Sequence, residues 1–383
     1  MPANRFYILG LIVLLCHSCI ESYNPVINET QEVMVIEGMI SDRPGIHTVT
    51  VSLSTPYNNP SYMPVKGCVV TVQDNEGNTE IYTESLLQDG IYEAWLDEPF
   101  LAVGKAYAVQ VITPSNKVYA SDYDSLLACP PIDSLYYVEK ISSGSDPDQS
   151  WHGLQFFNDV RGHAGGTRNY RWKAIATWEY HSPYTAEYVR YKGQNIPYLQ
   201  DTVSICYLTE TIATVYAAST QLLSENSIYQ NKLHYVSTQT PRLTQRYNLL
   251  VEQHSLTDQA YAYWARLAAQ SASSASLYET QPSSNIGNIY NVDWSYEKVL
   301  GCFYASQIQE DRIVVDKTEL DFPVYGYRCK LDTLVDNSTF LYDQYYYLFS
   351  LALTGPGPPW LGGPKQCFDC TLMGGTNIAP DFW

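Results

Sequence analysis

The sequence predicts a mainly β fold, a β-sandwich at the N-terminus followed by a larger strand-rich domain with one or two short helices. Short runs such as Thr48-Val49-Thr50-Val51-Ser52-Leu53 alternate with period two, which places every second side chain on one face of a strand. Turn chemistry separates these runs at Asp42-Arg43-Pro44-Gly45 and Asp74-Asn75-Glu76-Gly77-Asn78. Tyr alone supplies 34 of 383 residues while charged residues make up only 16%, a balance that suits folded, aromatic-rich sheet.

Val33-Met34-Val35-Ile36-Glu37-Gly38 opens the strand pattern, and Asp89-Gly90 and Val103-Gly104-Lys105 punctuate the later strands. Strands repeating about every ten residues with turns between them read as a sandwich. The stretch Gly67 to Val72, with Gly90-Ile91-Tyr92 and Tyr107 to Val111, looks like the immunoglobulin-like modules of surface proteins. Cys129-Pro130-Pro131 marks a boundary, because consecutive prolines exclude helix and hold an extended connection. The expected units are therefore an immunoglobulin-like sandwich over 33–130 and a strand-rich domain over 131–383. In the second, Tyr170 to Trp178 and Tyr247 to Gln253 are the clearest strands. One helix is expected from about 257 to 270, capped by Ser255 or Thr257 and favoured by Asp258 at its positive end. Leu256, Ala260, Trp264, Leu267 and Ala268 form its apolar stripe, read as core packing. Ser142 to Asp148 has nothing apolar to bury and reads as a loop.

Residues 1–19 read as an export signal. Met1 to Arg5 carries one basic residue, Phe6 to Leu15 is apolar apart from Gly10, and Cys16-His17-Ser18-Cys19 closes the segment. Such a run is too short to span a bilayer, which takes roughly 20 helical residues. Its end resembles a bacterial lipoprotein processing site, in which a small residue precedes a cysteine that is acylated and becomes the mature N-terminus. Ser18 before Cys19 fits. Cys16 stands where the pattern prefers Leu, and as a rival acceptor it is disfavoured by bulky Leu15 before it. Lipidation is therefore expected at Cys19, and residues 20–32 form a polar tether. Each buried methylene of an acyl chain contributes about 0.8 kcal/mol, so more than one chain holds a protein stably on a membrane.

Several stretches together resemble the outer-membrane lipoproteins of the Bacteroidota that carry domain of unknown function 4249. These are Val35-Ile36-Glu37-Gly38, Tyr247 to Leu267, Gln281-Pro282, Gly287-Asn288-Ile289-Tyr290, Val299-Leu300-Gly301 with Phe303 to Ser306, and Cys367-Phe368-Asp369-Cys370 to Trp383. They run in the family's order over essentially the whole mature chain. The resemblance implies an accessory role beside a TonB-dependent outer-membrane receptor, in capturing or admitting a nutrient. It brings no catalytic residue. The family's usual Gly-Tyr-Phe is Gly301-Cys302-Phe303 here, so Cys302 is expected to make a bond that relatives lack. Glu21 is the single acidic residue closely following Cys19, a weak version of that phylum's surface-export signal, so either face of the outer membrane is open.

The remaining composition excludes more than it assigns. A net charge of −18 and the lack of any Lys/Arg run argue against nucleic acid. Setting aside Cys16 and Cys19, seven of nine cysteines remain; an exported location favours disulfides, and the odd count leaves at least one free thiol or a partner outside the chain. Cys367-x-x-Cys370 admits a disulfide, a zinc or a redox reading. Glycines and Pro364 around it predict loop, where a redox motif wants a helix N-terminus, and no second pair stands at metal spacing. Disulfides are thus expected at Cys367 and Cys370, with Cys206 and Cys329 as the partners to test first. The scattered histidines match no metalloprotease pattern, and no nucleophile elbow, phosphate loop or dinucleotide fingerprint is present. A calcium loop starting at Asp146 would put Trp151 where its turn Gly belongs and Phe157 where its bidentate Glu belongs. No metal, cofactor or catalytic residue is therefore expected. The candidate ligand or partner contacts are aromatic: Trp172, Trp178 and Tyr180 in one cluster, Tyr345 and Tyr346 in another. Alternating sheet core and strand-edge packing is the preferred reading of both clusters. The tail from Trp360 to Trp383, rich in Gly and Pro, is expected to be an ordered cap and not a regular strand, fastened by Cys367 or Cys370 and by burial of Phe382 and Trp383.

Overall fold

The computed structural model describes residues 32–55, 61–143, 150–191, 194–197, 203–273, 287–334, 346–350 and 360–383. The export signal, Cys19, most of the tether and Tyr345 lie outside that set.

Apart from two strands of two residues each, seven strands come first: β1 (Met34–Ser41), β2 (Gly45–Leu53), β3 (Val69–Asp74), β4 (Thr79–Glu84), β5 (Ile91–Leu96), β6 (Ala106–Ile112) and β7 (Val118–Ser121). They pair in the order β7-β6-β3-β4-β5-β2-β1. Alternation decides which face is buried. Ile36 and Ile40 of β1, Val49 and Val51 of β2, Val70 and Val72 of β3, and Tyr107, Val109 and Val111 of β6 share one core. Each such side chain contributes about 2 kcal/mol on burial. The β3–β4 turn is fixed by Asp74, which is fully buried. Its carboxylate accepts hydrogen bonds from the Asn78 side chain at 2.8 Å, the backbone of Asn78 and Glu76, and Lys105 Nζ at 2.9 Å. Burial opposes its ionisation, but these donors outweigh it and hold the carboxyl down at about 2.

A second module follows Cys129-Pro130-Pro131. One sheet joins β8 (Ile132–Ser143), β9 (Ser150–Arg161) and, from later in the chain, Ser227–Ser237. The facing sheet is built on β10 (Asn169–His181), flanked by β11 (Ile205–Thr211), β12 (Tyr216–Ser219) and, beyond β13 (Ser227–Ser237), β14 (Arg246–Leu256). Leu154 and Phe156 of β9 with Leu233 of β13 pack against the even-numbered residues of β10. Trp172, Trp178 and Tyr180 are therefore core, 1%, 8% and 4% exposed. This corrects their reading as contact residues: they alternate with Arg171, Lys173, Glu179 and His181, and the alternation turns the apolar set inward. Trp172 Nε1 donates to Gln253 Oε1 at 3.0 Å, and Gln253 Nε2 donates to the Pro130 carbonyl at 2.7 Å, which anchors the linker to this core.

The helix α1 (Asp258–Ser273) begins where the sequence places it. Thr257 Oγ1 accepts from Ala260 N, the N-cap geometry, and Asp258 sits in the first turn. Ala260, Tyr263, Trp264 and Leu267 pack with Cys302 and Tyr304.

The chain then returns to the first sheet. β15 (Ile289–Asn291) pairs antiparallel with β7, while β16 (Val299–Leu300) and β17 (Phe303–Ser306) run parallel to β1. β18 (Ile308–Asp316) goes back to the second module beside β14. The first sheet is therefore completed by three strands from the second half, beyond the expected boundary at 130/131. An uncovered β1 edge would leave a row of unpaired N–H and C=O groups, and β16 and β17 satisfy it. Side chains close the remaining seam. Asn288 Nδ2 donates to Phe303 O at 2.6 Å and Asn288 Oδ1 accepts from Phe303 N at 3.0 Å, as a paired strand would. Asp124 Oδ2 accepts from Ala305 N at 2.8 Å, and its other oxygen takes the Thr257 hydroxyl. Burial pushes this carboxyl up to about 6. The result is a nearly closed, barrel-like sheet.

The tail folds over the second module. Cys206 bonds Cys370 and Cys329 bonds Cys367, so all four cysteines expected in disulfides form them. Cys302 is a buried free thiol, as are Cys68 and Cys129, so the extra bond expected of Cys302 is absent. Trp360–Gly363 does form a short strand, against the expectation of none. Trp383 Nε1 donates to Glu179 at 3.1 Å, and its ring meets Tyr207 edge-on at 5.1 Å. Phe382 stays 44% exposed, covered on one face by Arg312 at 3.7 Å and not buried as expected.

Candidate functional site: a cleft between the two modules

Because β17 and α1 bind the modules together, a cleft of about 470 Å³ forms where they meet, within the usual size range of small-molecule sites. One wall is the β1–β2 hairpin, from Glu37 to Thr50; another is the outer face of β10 and β14; Tyr263, Trp264 and Tyr304 form the third.

Strand register sets the floor. Arg171 stands opposite His254 and Lys173 opposite Glu252 in the antiparallel β10–β14 pair. These are the odd positions of β10, so the same alternation that buries Trp172 points Arg171 and Lys173 into the cleft. Lys173 Nζ lies 3.2 Å from Glu252. At the rim, Arg43 pairs with Glu310 at 2.9 Å and donates to the Ile308 carbonyl.

Arg171 is differently placed. Its guanidinium stacks 3.6 Å over the Trp264 ring and donates to Tyr304 Oη at 2.6 Å. Cation–π contact and the hydroxyl hold the planar group in one orientation without neutralising it. No carboxylate among the described residues pairs with it, and Arg171 Nε has no hydrogen-bond partner. His254 beside it is 1% exposed, and both ring nitrogens are also unpartnered. The nearest carboxylate oxygen, on Glu252, is 3.9 Å away, too far for a hydrogen bond. Burial drives the imidazole pKa well down, reinforced by Arg171, Lys173 and Arg43, so the ring is neutral. A neutral imidazole offers one donor and one acceptor. Trp264 Nε1 is a further buried donor without a partner. Buried polar groups are normally satisfied, so three side chains without a protein partner around one cleft make it the candidate site.

Of the residues singled out from sequence, the structure brings together the four disulfide cysteines. It places Trp172, Trp178 and Tyr180 in the core, and Tyr346 in the strand Tyr346–Ser350, its side chain beyond the described set. Cys367 and Cys370 bond outward to different partners, so they do not form a dithiol pair with each other. Among the described residues no cluster of three or more His, Cys, Asp or Glu side chains could hold a metal ion. No helix among them is long and apolar enough to cross a membrane. The cleft residues were missed. Their signal was the odd parity of Arg171 and Lys173 in a strand whose even positions are aromatic or Ala.

The comparisons with known proteins bear on the family alone. No curated protein matches the chain. A solved structure, that of a DUF4785 family protein from Legionella pneumophila, is similar over 52% of this chain and 56% of its own, at 12% identity and a TM-score of 0.17. The two superpose too loosely for anything to be inferred. The model of the family described as domain of unknown function (DUF4249) matches residues 20–312, most of the chain and both modules of the cleft. The chain belongs to the DUF4249 family.

Proposed function

We propose that this protein is an outer-membrane lipoprotein, anchored by acyl chains on Cys19, that captures a ligand for a TonB-dependent transporter or lids its channel. It acts by contact and not by catalysis. The observation that carries the reading is the cleft: a cavity of ligand size walled by both modules, whose lining residues Arg171, His254 and Trp264 hold buried polar atoms without a protein partner. The export signal ending at Cys19 and the family's association with such receptors in the Bacteroidota support the compartment and the partner. Affinity purification of the tagged protein from detergent-solubilised outer membranes is expected to recover a TonB-dependent receptor. Repeated recovery of the lipoprotein without one would count against the partnership.

A stand-alone surface adhesion or structural module is the second reading, favoured by one feature. Ile46 and Trp95 are directly opposed on β2 and β5, and both are about two-thirds exposed, 64% and 68%. An apolar pair in solvent suits a contact face. Deleting the receptor gene separates the two: an unchanged lipoprotein phenotype favours adhesion.

A further inference from the structure

We infer that the cleft between the modules binds a small organic monocarboxylate, seated on the Arg171 guanidinium with the His254 imidazole beside it. The inference rests on the ligand-capture reading and names its ligand class.

The unmet groups decide the class. Arg171 Nε and Trp264 Nε1 are donors, so the cleft calls for acceptor oxygens. Arg43 is answered by Glu310 and Lys173 by Glu252, while Glu37 takes the Tyr263 hydroxyl at 3.4 Å. Arg171 alone of the cleft's cations is answered by no carboxylate among the described residues. This is unusual in a chain with 40 acidic residues to 22 basic ones, where a local acid is easily supplied. One uncommitted cation matches one negative charge. A phosphate dianion would bring a second charge close to Glu37 and Glu252, which repel it. A neutral sugar would leave the guanidinium uncompensated. The Arg171 guanidinium, already oriented by Trp264 and Tyr304, suits a carboxylate oxygen and loses little freedom on binding. Glu37 and Glu252 remain as acceptors for hydroxyl or ammonium groups at the ligand's other end, and Thr48 and Thr50 of β2 also line the cleft.

Calorimetric titration of the detergent-solubilised full-length protein tests this, with glucuronate and alanine as carboxylate probes and glucose and inorganic phosphate as comparators. At least one carboxylate is expected to bind more tightly than about 1 mM, with glucose and phosphate at least about tenfold weaker. Arg171→Gln is expected to weaken that carboxylate at least about tenfold, the scale of a lost charge-assisted hydrogen bond. Arg171→Lys, which keeps the charge and loses the fork, serves as the test variant should the Gln variant not fold. Neither carboxylate binding, phosphate binding as tightly, or a folded Arg171 variant with wild-type affinity would overturn the inference. A receptor recovered by affinity purification with no carboxylate binding removes the ligand class and leaves the accessory role. Carboxylate binding with no receptor recovered does the reverse.

Discussion

Gly301→Ala is expected to destabilise the protein by about 3 to 5 kcal/mol, the range reserved for substitutions that break a defined structural feature. Gly301 lies between β16 and β17, the strands that cover the β1 edge, and has φ of +95°. A Cβ there would stand 2.0 Å from the Ile36 carbonyl oxygen and 2.7 Å from its carbon. Both are backbone atoms inside a paired strand and cannot swing aside. Gly287 approaches from the other side, where its own added Cβ would lie 1.8 Å from Gly301 O. Three backbones thus stack without side chains between them, and an alanine must push β16 and β17 off β1. Gly104 provides the control. Its φ is +96°, but an added Cβ meets nothing within 4 Å, so Gly104→Ala carries only the left-handed penalty of about 1 kcal/mol. Urea melts of the two variants check this; equal losses would mean that the strand return is not held by the close approach at Gly301.

Removing the Cys206–Cys370 disulfide, as the double Ala variant, is expected to cost about 5 kcal/mol in the chain-entropy limit and about 2 to 5 kcal/mol in practice. The bond joins residues 164 apart, from β11 to the tail, so it restricts nearly half of the unfolded chain. Both cysteines are fully buried, and their loss also leaves a gap in the second module's core. The Cys329–Cys367 bond spans 38 residues. Entropy grows with the logarithm of the loop, so its removal should cost about 1 kcal/mol less. Thermal unfolding of both double variants gives the order, and a larger loss at Cys329–Cys367 would contradict it.

What could be read in advance was local. The alternation of Thr48 to Leu53, the turn at Asp74 to Asn78 and the cap at Thr257 each involve side chains within a few residues of one another, so one sequence window contains the whole cause. Long-range pairing was not legible. β16 has two residues and β17 four, too few to show a period, and their partner β1 is more than 250 residues earlier. Pro130-Pro131 stands where the chain leaves the first sheet, and nothing near it announces the later return. The cleft was hidden similarly. Arg171 and His254 are both visible in strands identified from sequence, yet only the β10–β14 register sets them side by side, and only the docking of α1 brings Trp264 over Arg171. With the disulfides, the set of four cysteines was legible from their count and the expected export, whereas the pairing needed the tail's position. Trp172, Trp178 and Tyr180 follow the core reading and not the contact reading, and their charged odd-numbered neighbours already show which face is solvent.

If the protein works from the membrane, the mass of the N-terminus of material purified from native membranes is decisive. It should correspond to a chain that begins at Cys19 and carries fatty acyl chains on that residue. A chain with an unmodified start, recovered from the soluble fraction, would refute the proposal that this family member works tethered to the envelope.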